Sequence, residues 1–201
     1  YMKLLSIQIP TVVGREKSFN DLYAFINYQI TKHRLHDEVE VICQKDNKQM
    51  SIGDKRQALY LMADAEYSVQ IDDDDYVHND YVKLICDELT WIKDTKRPLP
   101  DCIGYYEKCY INGVESESTI SNKYFDWAEL SNGNHIRTPF FKTPIKTEIC
   151  LQVGVNDMRF GEDHDFARRI KPLLINEVFI YEYMYIYRHV STPHNERYGI
   201  K

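Results

Sequence analysis

The chain has 201 residues, 43% of them hydrophobic and 13% aromatic, which is enough to bury a full core and falls within the usual size of one domain. Charged residues make up 28%, both signs are interspersed and the net charge is −6; this excludes a disordered or collagen-like chain and argues against a general polyanion binder, whose affinity is built from Lys and Arg. No apolar run approaches the roughly 20 residues that span a bilayer, and no basic segment followed by a long apolar one opens the chain, so a protein without a membrane span, cytoplasmic in location, is expected.

In chain order, Lys3–Ile9 is short, apolar and β-prone, and Pro10 closes it as a predicted buried strand. Ser18 with Asp21 resembles a capping box ahead of Phe19, Leu22, Phe25, Ile26 and Ile30, whose spacing predicts a helix over about Phe19–His33. Glu38–Gln44 reads as a second strand. After Gly53 a second helical pattern runs through Leu59, Met62 and Ala63, and Tyr67–Ile71 is a third strand that ends on four consecutive aspartates. This alternation implies an α/β fold with a mostly parallel sheet and right-handed crossovers, in which ligands gather beyond the carboxyl ends of the strands.

Asn79 or Asp80 can cap a helix carrying Leu84, Ile85, Leu89 and Ile92. Asn112-Gly113 between two β-prone runs is a tight-hairpin signal, and so gives a small antiparallel portion. Thr119 to Pro144 reads as a long irregular loop whose Tyr124, Phe125, Trp127 and Phe140 are candidates for stacking on a ligand or for packing. Ile145–Val153, a helix opening near Glu162 and the β-prone Glu177–Tyr187 complete the chain. The five cysteines lack C-x-x-C spacing and are expected to be free thiols.

Asp72, Asp73, Asp74 and Asp75 repel one another, and a cation would relieve them. Mg²⁺ or Mn²⁺ suits such oxygen ligands together with substrate phosphates. An EF-hand is excluded, because Val77 and Lys83 stand where its Gly and Glu are required. No Walker-type or dinucleotide glycine loop is present, so phosphates must be held by metal and side chains. Glu162, Asp163 and Asp165 at a predicted helix start either complement the helix dipole or supply a base for a hydroxyl nucleophile, with Asp163 or Glu162 as candidates. His189 and His194, after the last β-prone run, are structural or metal-binding.

The order of IPT after the first strand, GDKRQ before a helix ending Ala63-Asp64-Ala65, YSVQIDDDDYV and later GEDHDF resembles the family 2 glycosyltransferases. The resemblance covers about Lys3 to His194. It implies the GT-A fold as a single domain over 1–201, with a donor half over about 3–100 and an acceptor and catalytic half over about 101–201. It further implies a transferase that moves a sugar from a nucleoside-diphosphate sugar, UDP favoured, to an acceptor hydroxyl with Mn²⁺ or Mg²⁺.

Asp72, Asp74 and Asp75 fall on the family's Asp-x-Asp-Asp. By that match Asp74 binds the metal, Asp72 contacts the metal's water shell or the donor ribose, and Asp73 is the least critical of the four. Pro10, Thr11 and Arg15 are implied at the nucleotide base, Asp46 at uracil, and Lys55 and Arg56 at the diphosphate, Arg56 through its fork of donors. Asp163, with Glu162 beside it, is implied as the base of an inverting transfer, and His189 in preference to His194 as a further metal ligand. Gln57 stands where the family usually has Asn, and CQKDNKQM where it has an acidic Gly-Ser-rich turn. The acceptor stays open among a glycan, a lipid-linked sugar, a protein and modified nucleic acid. The alternatives are a nucleotidyltransferase on a related sheet and a non-catalytic nucleotide-sugar binding module.

Overall fold

The computed structural model describes residues 2–189. The first half alternates β1 (Lys3–Val12), α1 (Glu16–His33), β2 (Val39–Asp46), α2 (Ile52–Met62), β3 (Ala65–Gln70), β4 (Tyr76–Val77) and α3 (Tyr81–Asp94). The second half runs β5 (Cys102–Ile111), β6 (Val114–Ile120), β7 (Ala128–Glu129), β8 (His135–Arg137), β9 (Ile145–Lys146), α4 (Thr147–Val153), α5 (Glu162–Ile170) and β10 (Glu177–His189).

Ten strands form one mixed sheet in the order β2-β1-β3-β9-β5-β6-β8-β7, with β10 beside β5 and β4 beside β10. The β2-β1-β3 part is parallel: Ile7 lies opposite Val41 on one side and Val69 on the other. The chain moves outward from β1 to β2 and back across to β3, so right-handed crossovers place α1 and α2 on opposite faces. Leu5, Ile7, Ile9, Tyr67 and Val69 are all fully buried on one face, where Ile26 of α1 and Leu89 of α3 join the same core. Burial of each such side chain contributes about 1.5–3 kcal/mol. No helix among the described residues is long and apolar enough to cross a membrane.

Three features differ from the sequence expectation by more than a residue or two at an element's end. β1 does not stop at Pro10 but pairs with β2 as far as Val12–Asp46. Gln8 accepts from Ile71 on the β3 side, and Pro10, two residues on, turns its missing N–H to that side beyond the end of β3, so no ladder bond is lost. α1 begins at Glu16 and takes Ser18 inside its first turn; the hydroxyl donates to Arg15 O at 3.1 Å and caps nothing, so the capping box is not formed. The stretch expected to be irregular carries β7 and β8, which extend the sheet beyond β6. The β5–β6 turn is as expected, with Asn112 and Gly113 at φ 52 and 80.

Gly53 fixes how the two halves meet. A Cβ there would lie 2.0 Å from Asn156 O, and its N–H donates to Met158 O at 3.0 Å. Four residues on, Gln57 Oε1 accepts from Val155 N at 2.6 Å. The start of α2 is thereby pressed against the loop that leads into α5, which brings Arg56 within reach of Glu162.

Candidate active site

The face of the sheet towards α2 and α4 is polar. Ser68 and Gln70 are fully buried. Gln8 Nε2 donates to Ser68 Oγ at 3.0 Å, and Gln70 Nε2 donates to Gln8 Oε1 at 2.9 Å and to Arg56 O at 3.0 Å. Gln70 Oε1 accepts from Arg56 Nη1 at 3.1 Å. A satisfied buried network of this kind holds one geometry, and here it aims a guanidinium. Arg56, only 4% exposed, lies 3.5 Å above the Phe141 ring and donates to Asp72 at 2.9 Å and to Glu162 at 3.3 Å.

The four aspartates have distinct partners. Asp72 accepts from Arg56 and faces Lys142 at 3.4 Å; burial opposes its ionisation, but these two cations outweigh it and hold the carboxyl well below its usual range. Asp73 is buried, accepts from Thr11 Oγ1 at 2.6 Å and pairs with Arg15 at 3.0 Å. Asp75 is buried between Lys142 at 2.6 Å and the Tyr185 hydroxyl at 2.7 Å. Asp74 is the exposed member, with a side chain 54% accessible, and Arg15 is its partner. Thus Arg15, Arg56 and Lys142 offset the repulsion that the sequence alone leaves uncompensated, and the run divides into three anchored carboxylates and one that faces outward.

Two clefts meet across the Arg56–Asp72 pair. The first, of about 240 Å³, is lined by Pro10, Thr11, Arg15, Lys55 and Ile52 together with Asp72, Asp73 and Asp74. Lys55 is buried, donates to Thr11 O at 2.7 Å and pairs with Asp46, so Asp46 supports the floor of this cleft through Lys55 and does not line it. The second, of about 260 Å³, is bounded by Glu107, Arg137, Lys142, Phe160, Glu162, Asp163 and Tyr187.

Glu162 and Asp163 open α5 as expected, but their environments differ. Burial pushes the Glu162 carboxyl up against the pull of Arg56. Burial acts on Asp163 too, but Arg137, donating at 2.6 Å, holds it below its ordinary value. His189 follows Tyr187 on the same face of β10, their rings 6.1 Å apart and stacked, and its backbone carbonyl accepts from Asn112 N. His194 lies outside the described residues. Among the described residues no group of three His, Cys, Asp or Glu side chains converges as a ready-made metal cage.

Of the loop aromatics, Phe140 is buried beneath Arg137 at 3.6 Å and borders the second cleft. Trp127, half exposed, stacks on His135 and lines neither cleft; nor do Tyr124 and Phe125. Arg137, Lys142 and Glu107 were not singled out from the sequence. Lys142 left one sign: a lone charge inside the otherwise uncharged TPFFKTPI. Burial raises the thiol of Cys43 to about 11 and those of Cys86 and Cys150 to about 12, so these cysteines are poor nucleophiles.

No protein-family model matches the chain, and none of the curated proteins does. Among solved structures it is similar to S. aureus TarS 1-349, at 15% identity over 92% of this chain and 60% of that one, with a TM-score of 0.61. The same S. aureus protein in complex with UDP-GlcNAc is similar over 96% of this chain and 60% of that one, at 14% identity and a TM-score of 0.62. The catalytic domain of Drosophila beta1,4galactosyltransferase 7, in complex with xylobiose, gives 12% identity over 88% of this chain and 64% of that one, with a TM-score of 0.50. The chain thus spans about 60% of the length of the TarS 1-349 structures it resembles. The likeness is one of fold: an α/β chain of the GT-A type, with a mixed sheet between helices.

Proposed function

We propose that this chain is a glycosyltransferase of the family 2 kind, moving a sugar from a nucleoside-diphosphate sugar, with UDP favoured, to an acceptor hydroxyl. The observation that carries the reading is the pair of clefts joined at Arg56 and Asp72, one lined by cations and an outward aspartate, the other by a poised carboxylate. The UDP and UDP-GlcNAc complexes of S. aureus TarS, whose fold this chain shares, support UDP as the nucleotide. In this reading residues 3–100 hold the donor and 101–201 the acceptor within a single domain.

The first cleft takes the nucleotide diphosphate. Pro10, Thr11 and Arg15 border the base, and Lys55 and Arg56 supply fixed positive charge to the phosphates. Asp74 is half exposed with Arg15 as its cationic neighbour, and its oxygens, with those of Asp72 and the donor phosphates, would suit Mn²⁺ or Mg²⁺; among the described residues His189 does not converge with these two aspartates as a third ligand. When bound, the ion offsets charge on the departing diphosphate. In the second cleft Asp163 takes the proton of the acceptor hydroxyl as its oxygen bonds to the anomeric carbon and the bond to the diphosphate breaks. One such displacement inverts the anomeric centre, and a product of retained configuration would count against Asp163 as the base.

Asp74→Ala is expected to abolish transfer while leaving the melting temperature within about 2 °C, since exposed substitutions outside special features change stability little. The measurement is UDP release with and without Mn²⁺ and after EDTA. Full turnover in EDTA, or in the variant, would remove the metal role. Pyrophosphate release from a nucleoside triphosphate would favour a nucleotidyltransferase instead.

A further inference from the structure

Four carboxylates line the second cleft, and among the described residues Glu107 alone of them forms no ion pair. Glu107 stands on β5, opposite Tyr185 of β10 and Ser118 of β6, and is 6% exposed. Its hydrogen bond from the described residues is the weak one from the Cys109 thiol at 3.6 Å. The nearby cations are committed elsewhere: Lys142 to Asp75 and Asp72, Arg137 to Asp163. A carboxylate set at a cleft wall with so little to accept is costly unless a ligand donates to it. Burial indeed pushes its carboxyl above the usual range, although Lys142 and Arg137 pull the other way.

We infer that Glu107 accepts a hydrogen bond from a hydroxyl of the sugar-accepting substrate, and that this substrate is an uncharged polyol or saccharide. The inference rests on the transferase reading above. A hydroxyl can donate to Glu107 while its neighbour on the same ring accepts from Arg137, which lines the same cleft and keeps donors beyond the one given to Asp163, an arrangement that matches a vicinal diol. Four carboxylates against three cations in the lining leave no surplus positive charge for an anionic acceptor.

The test uses the full chain with UDP-sugars as donors and two acceptor sets, neutral mono- and disaccharides and their phosphorylated analogues. Glu107→Gln, and Glu107→Asp as a second variant should the first not fold, are compared with the unaltered protein for donor binding, UDP release without acceptor, and acceptor KM and kcat. The expected result is donor binding within about twofold, with acceptor KM raised about threefold to tenfold in Glu107→Gln, whose amide oxygen still accepts from the hydroxyl but carries no charge. An unchanged acceptor KM in a folded variant overturns the role of Glu107. Transfer to phosphorylated acceptors only, or to none of the neutral ones, overturns the acceptor class. Failure of the unaltered protein to bind any UDP-, GDP-, CDP- or TDP-sugar would instead remove the transferase reading, and it is visible before any variant is made.

Discussion

Lys142→Met is expected to lower the melting temperature by roughly 6–20 °C. Lys142 is 6% exposed, lies 2.6 Å from Asp75 and 3.4 Å from Asp72, and sits 4.7 and 4.5 Å from the centres of the Tyr185 and Tyr187 rings. Burial works against the charged amine, yet Asp75, Asp72 and Glu107 hold its pKa above the ordinary lysine value. Methionine keeps the stem's apolar contacts and removes only the charge, leaving the buried Asp75 without its cation. Breaking such a pair typically costs about 3–5 kcal/mol, and in a chain of this size each kcal/mol moves the melting point by about 2–4 °C. Lys142→Arg should recover part of the loss. A methionine variant melting within about 2 °C of the parent would show that the aspartate run does not depend on this cation.

The second large effect is on turnover. Asp163→Asn retains the shape of the side chain and an oxygen for Arg137 but cannot take a proton, so kcat is expected to fall about a hundredfold or more with donor affinity within about twofold. The pH profile separates Asp163 from Glu162. Asp163 is held below its ordinary 3.8, and is therefore ionised throughout the neutral range; activity that depends on it is lost only as pH falls through a value lower than that. Glu162 is pushed above its ordinary 4.5, so an acid limb above that value, together with a fully active Asp163→Asn, would reassign the base to Glu162.

The parallel half of the fold is legible in the sequence because its signals are local: hydrophobic spacing in α1 and α3, and apolar runs in β1 and β3. The position of the aspartates follows from the same signals, since they come directly after a parallel strand and so lie beyond its carboxyl end, where ligands gather. What fills their surroundings does not. Lys142 and Arg137 come from a stretch with little periodicity, and their pairing with Asp72, Asp75 and Asp163 is set by sequence separations that no local pattern encodes. Nor does any local pattern encode the polar partners of Ser68 and Gln70: Gln8, Thr147 and Arg56 satisfy them inside the core. Gln57 is explained by packing rather than by ligand, because its side chain holds Val155 and hence the approach to α5.

Whether the cleft between β1, α2 and the aspartate run holds a nucleotide-sugar is tested most directly by thermal shift of the unaltered protein with UDP-, GDP-, CDP- and TDP-sugars, each with and without Mn²⁺. A ligand at a hundred times its Kd stabilises the native state by about 2.7 kcal/mol, or roughly 5–11 °C in a chain of this size. The expected result is a shift of that order with a UDP-sugar, larger in the presence of Mn²⁺ and lost in Asp74→Ala. No shift with any of the four nucleotide-sugars, with or without the metal, would contradict the account.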